Sequence, residues 1–214
     1  MKACLCLMMM LLAGVLSGAE PASAQDPLLS PTLALCLRPL RLADEPEMNH
    51  AVETVKRLTS FSQTQTGNGR KAVDALITIF KDLFLKEQEY ASAHQAFITA
   101  NRQALAKELQ AEQAESPSGS LSGPNPRLGG ILRKEAADIR TKSTKLRDAA
   151  LAMLKEKITA YNVSVSYFQN QGYNEVVVVL ANSIYAVVDR QMPSFDFKPT
   201  VTRAWLRQQR ASSS

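Results

Sequence analysis

Apolar residues return every third or fourth position along most of this chain, and that spacing predicts helices. From 70 to 115 there is no proline and no glycine. Val73, Leu76, Ile77, Phe80, Leu83, Phe84, Tyr90, His94, Phe97, Ile98, Leu105 and Leu109 form one stripe there. A continuous helix over that span would be roughly 65–70 Å long at 1.5 Å per residue. A shorter helix is predicted over 47–61, where Met48, Val52, Val55, Leu58 and Phe61 share a face. The polar stretch 62–69, with Gly67 and Gly69, ends it. A third helix is predicted over 128–168. Leu132, Ala136, Ile139, Ser143, Leu146, Ala150 and Met153 alternate four and three apart, a coiled-coil-like seam. Leu154, Ile158, Tyr161, Val165 and Phe168 continue it until Asn170, Gln171 and Gly172 interrupt. A fourth helix is expected from Asn174 to near Pro193. Its Val176–Val179 run also fits a strand, but no partner strand is evident and the apolar positions fit a helical face.

The remaining segments break this pattern. Residues 25–46 carry Pro27, Pro31, Pro39 and Pro46 among leucines. They are read as an extended arm that lays Leu28, Leu29, Leu33, Leu35 and Leu40 over a surface. Residues 116–130 are rich in Ser, Gly and Pro and are read as a flexible loop joining the two long helices. Glu108, Glu112 and Glu115 precede this loop, and Arg127, Arg133, Lys134 and Arg140 follow it. An antiparallel return would bring these opposite charges together. The predicted fold is all-α: an elongated helical bundle or a long antiparallel helical hairpin with coiled-coil-like packing. It comprises a helical domain over 47–192 and a basic tail over 193–214.

The first 24 residues have a different character. Lys2 precedes an apolar run from Cys4 to Leu16, and Ala22, Ser23 and Ala24 supply small residues ahead of Gln25. This is the pattern of a cleavable signal peptide over 1–24. A membrane anchor is the competing reading. It is disfavoured because Gly14, Ser17, Gly18, Glu20 and Pro21 cut the run below the roughly 20 apolar residues a span needs. Export leads to a periplasmic or extracellular location. Cleavage removes Cys4 and Cys6 and leaves Cys36 alone, so no disulfide can form within the mature chain. Cys36 is read as a small hydrophobe among leucines, or as a thiol that pairs between chains. A disulfide-free exported chain fits a bacterial envelope better than a disulfide-rich extracellular setting.

The formal charge of +5 is compatible with an acidic partner or an anionic membrane surface. The bases between Arg127 and Lys157 do not share one helical face, and export makes nucleic acid an uncommon partner. Trp205 lies between Arg203 and Arg207 in a basic segment that ends with Arg210. That segment could touch a membrane interface or a partner.

No catalytic pattern emerges. The two histidines are His50 and His94. Glu47 and His50 have the i, i+3 spacing of a carboxylate-bridged metal half-site, but a site needs a second such pair, and Ala91 stands where His94 would need its glutamate. The expected alternatives are a solvent-facing His50 and a core-edge His94. No Gly-x-Ser-x-Gly elbow, phosphate loop, haem-attachment motif or zinc cysteine pair is present. Asn162-Val163-Ser164 matches a glycosylation acceptor if exposed in a eukaryotic secretory pathway. No catalytic, cofactor or metal residue is assigned.

These features lead to an exported, non-enzymatic helical protein that acts by protein–protein contact, with a homo-oligomer among its expected forms. A membrane-surface protein using the basic helix and the Trp205 tail is the alternative; a metal protein or enzyme is less favoured. In leader, helical hairpin and loop the chain resembles envelope assembly components, such as minor pilus-tip subunits of bacterial type IV secretion systems. That resemblance implies a periplasmic or surface role in secretion or conjugation.

Overall fold

The computed structural model describes residues 26–43, 46–117 and 123–211. The expected signal peptide over 1–24 lies outside the described residues. The described chain is all-helical: a 3-10 turn at Pro27–Leu29 and six α-helices, with no strand among the described residues. The helices are α1 (Pro31–Leu42), α2 (Met48–Gln63), α3 (Gly67–Glu115), α4 (Pro126–Asn170), α5 (Asn174–Gln191) and α6 (Arg203–Ala211). They form two compact units. One draws on Met1–Leu85 and Glu156–Ser214, the other is Lys86–Lys155, and α3 and α4 contribute to both.

The first unit is built around α5. Val176–Ala181, Ser183, Ile184, Tyr185, Val187 and Val188 are buried, so the helix is covered on every side. Its valine run therefore does not become a strand. An apolar helix enclosed by other helices recovers in burial what β-branching costs in propensity. α1 packs against both α2 and α5, and α6 packs against α5. Leu76, Phe80, Leu83 and Phe84 from α3, and Ile158, Tyr161, Val165 and Phe168 from α4, complete the core.

The expected extended arm is corrected here. Residues 31–42 are a helix, although Pro31 and Pro39 lie within it. Pro31 occupies the first turn, where its missing N–H costs nothing, and Ser30 caps the end by accepting the Thr32 N–H at 3.2 Å. Pro39 would orphan the carbonyl of Leu35, which lies on the exposed side where water can satisfy it. Helical spacing buries Leu33, Cys36, Leu37 and Leu40 and turns Leu29 and Leu35 outward. In α2 the expected face is rotated: Ala51, Thr54, Leu58 and Phe61 are buried, and Val52 is exposed.

The end of α4 closes with a Schellman turn. Gly172, at φ +78°, donates to the Gln169 carbonyl, and Tyr173 donates to Phe168, each at 3.0 Å. The rings of Phe168 and Tyr173 meet edge-on with centroids 6.4 Å apart, which supplies the apolar contact of this motif. Past α5, Asn162 holds the returning chain. It donates to the Lys198 carbonyl and accepts from the Thr200 N–H at 3.0 and 2.9 Å. Its carboxamide is thus engaged mid-helix in the folded chain.

In the second unit, Tyr90, Phe97, Ala104 and Ala111 line one side of α3 at seven-residue intervals. Gly129, Leu132, Ala136, Ile139 and Ser143 line the facing side of α4. Arg133 and Glu115 form a two-point pair, as do Arg140 and Glu108, with second contacts at 2.7 and 2.8 Å. The guanidinium of Arg147 lies 4.1 Å over the Phe97 ring. The partner numbers rise on α4 as they fall on α3, so these segments run antiparallel. Two expectations change. The end of the expected 116–130 loop is helical, because Asn125 accepts the Leu128 N–H at 3.0 Å and Pro126 starts α4; positions 118–122 of that loop lie outside the described residues. Leu146 and Met153 leave the predicted seam and are exposed, replaced by Arg147, Leu151 and Leu154. A straight helix drifts by about 20° per heptad from a 3.5-residue repeat. A strict seam therefore fails after two heptads.

Candidate interaction surfaces

The Glu47–His50 pair begins α2, and its geometry is that of a helix cap. The Glu47 N–H donates to His50 Nδ1 at 3.3 Å, the reciprocal half of a capping box. The spacing is the one that brings two side chains together on a helix; here they satisfy a backbone donor. His50 is half-buried. His94 is exposed, not core-edge, with Tyr90 and Phe97 rings at 5.9 and 6.3 Å. No cluster of three or more His, Cys, Asp or Glu suited to a metal occurs among the described residues.

Cys36 sits under a shallow, open groove of about 570 Å³ between α1 and α2, alongside Arg57, Phe61 and Gln65. Its Sγ donates to the Arg57 carbonyl at 3.7 Å. Burial pushes the thiol above its ordinary range, with Arg57 opposing weakly. Neither histidine lines the groove. A buried thiol held protonated without a base is a poor nucleophile, which agrees with Cys36 as a packing residue.

Two carboxylate–phenol contacts of the first unit were invisible in the sequence. Asp82 accepts from Tyr161 and pairs with Lys157. Asp26 accepts the Leu28 N–H at 2.9 Å and the Tyr173 hydroxyl. In both, burial first and the carboxylate second hold the phenol protonated well above the ordinary tyrosine range. These are structural locks. The partners lie far apart along the chain, so no local pattern could have announced them.

The basic features are partly engaged in ion pairs. Arg133, Arg140 and Lys157 are in ion pairs, and Arg147 pairs with Asp148. Arg127, Lys134, Lys142 and Lys145 remain exposed. The expected basic tail includes α6. Leu206 is buried, and Arg203 grips Asp189 at 2.7 and 2.9 Å while lying 4.1 Å over Tyr185. Trp205 is half-buried. No helix among the described residues is long and apolar enough to cross a membrane.

The second unit shows the clearest departure from a closed surface. Leu105, Leu109, Leu128, Ile131, Leu146 and Met153 are all exposed, while its seam alternates Ala104, Ala111 and Ala136 with the larger Tyr90, Phe97, Leu132 and Ile139. The alanines allow close approach but bury little area. Comparison with protein-family models, curated proteins and solved structures finds no match.

Proposed function

We propose that this is an exported, non-enzymatic helical protein that works by presenting contacts to other proteins, as an envelope or surface-assembly component. The finer architecture belongs to the same reading: a long antiparallel hairpin with coiled-coil-like packing carries the loop after α3. The observation that carries it is the set of large apolar side chains left in water in the second unit, with Leu128 and Ile131 exposed beside the loop. Exposed apolar side chains grouped on one element mark interaction sites more often than scattered ones do.

The test is affinity recovery from envelopes of the native cells, comparing the wild type with a Leu128→Glu/Ile131→Glu variant. A specific protein should be enriched with the wild type and lost with the variant. Recovery of nothing specific, or equal recovery by both, would overturn the reading. N-terminal mass analysis of the exported fraction should find Gln25; an intact Met1 would remove the export part.

A further inference from the structure

Four residues of α3 make a pattern that reads the same from either end. Arg102, Leu105, Leu109 and Glu112 are spaced three, four and three apart. At 100° per residue they occupy an arc of about 80°, turned roughly 110° from the seam that faces α4. All four are exposed. Both leucines keep about half of their surface in water, at 53% and 51%.

The charges that bracket the leucines make no direct ion pair among the described residues, although Glu112 lies within electrostatic reach of Arg133. Glu108 and Glu115 are taken by Arg140 and Arg133. Arg102 and Glu112 have no ion-pair partner among the described residues. They cannot pair with each other, because they stand about 15 Å apart along one helix.

We propose that this stripe is the interface of an antiparallel homodimer, α3 against α3, with a two-fold axis level with position 107. In that register Leu105 packs on Leu109 of the partner subunit, and Arg102 meets Glu112 of the partner subunit. Each contact occurs twice, as an isologous interface requires. Charge decides the direction. A parallel pairing sets Arg102 against its own copy and Glu112 likewise, whereas the antiparallel one neutralises both. One helix face is a small interface, so association is weak and concentration-dependent. This goes beyond the presentation role and does not rest on it; the loop-flank variants test that role separately.

The test is sedimentation equilibrium of the purified protein from about 10 µM to about 1 mM, with helicity checked by circular dichroism. The wild type should show a reversible monomer–dimer equilibrium. Leu105→Glu and Arg102→Glu should each weaken it by about tenfold or more, the latter because it sets acid against acid. The double reversal Arg102→Glu/Glu112→Arg should return the dissociation constant to within about threefold of wild type. That rescue also shows that the single variant had not simply unfolded. A wild type monomeric throughout, a dimer indifferent to Arg102→Glu, or a double reversal without rescue would each overturn the proposal.

Discussion

Tyr161 and Tyr173 hold their protons because ionisation would place a phenolate beside a carboxylate in a poorly solvated setting. A raised tyrosine value means a contribution to stability that is full below the ordinary value of 10.0 and is lost as pH rises toward the folded-state value. Both phenols should therefore stay protonated where free tyrosine ionises and titrate only as the protein unfolds. Absorbance at 295 nm against pH, run beside circular dichroism, checks this; complete ionisation near pH 10 with intact helicity would contradict it. Tyr161→Phe removes a hydrogen bond to a charged acceptor and should cost about 1.5–3 kcal/mol in urea unfolding. None of this was legible in the sequence, since Tyr161 and Asp82 meet only through tertiary packing. Glu47 and His50 were legible as a pair but not in their role: the same spacing serves a metal or a cap, and only the position at a helix start separates the two.

The boundaries of the long helices were readable, because Gly67, Pro126 and Gly172 punctuate them. α3 begins three residues before the expected start, and α4 spans two more residues at each end. α1 was missed because proline was weighed as a breaker without regard to its place in the turn. Two glycines make this scale testable. Gly172→Ala places a side chain in the left-handed region and should cost about 1–2 kcal/mol, read as a lower melting midpoint. Gly129 and Gly130 are neighbours with opposite expectations. A Cβ on Gly129 would come within 2.2 Å of Glu115 Oε1, whereas one on Gly130 meets nothing within 4 Å. Gly130→Ala should stabilise the protein by about 0.5–1 kcal/mol through helix propensity. Gly129→Ala should gain less, because Glu115 must swing off Arg133. An NMR titration should then find the Glu115 carboxyl back near its ordinary value.

Across the molecule, the two units balance burial and charge differently. The first closes around α5. The second depends more on exposed ion pairs, which are individually weak. Hydrogen bonds from Arg140 and Arg133 hold Glu108 and Glu115 below the ordinary glutamate value of 4.5. A lowered carboxyl value contributes stability that is full above the ordinary value and is lost as pH falls through the lowered one. Acid should therefore loosen these links below that point, and Arg133→Gln should restore Glu115 to ordinary titration by carboxyl-resolved NMR. The sequence announced the charge complement across the loop correctly. Enclosure of α5 on all sides was legible in its six consecutive apolar residues Val176–Ala181, which exceed one helical face, but was read there only as a single face.

The first unit is also discontinuous along the chain. Asp26 meets Tyr173 across 147 positions, Arg190 meets Pro46 across 144, and Arg41 meets Glu175 across 134. Its central helix comes late in synthesis. A chain emerging N-terminus first would display α1 and α2 long before α5 arrives to receive them. Contacts of such long separation slow closure, so the first unit would stay open until α5 had appeared, whereas the contiguous second unit has no such wait. Under the export proposed above, the order in which the parts of the first unit are made would delay its closure without the aid of a partner.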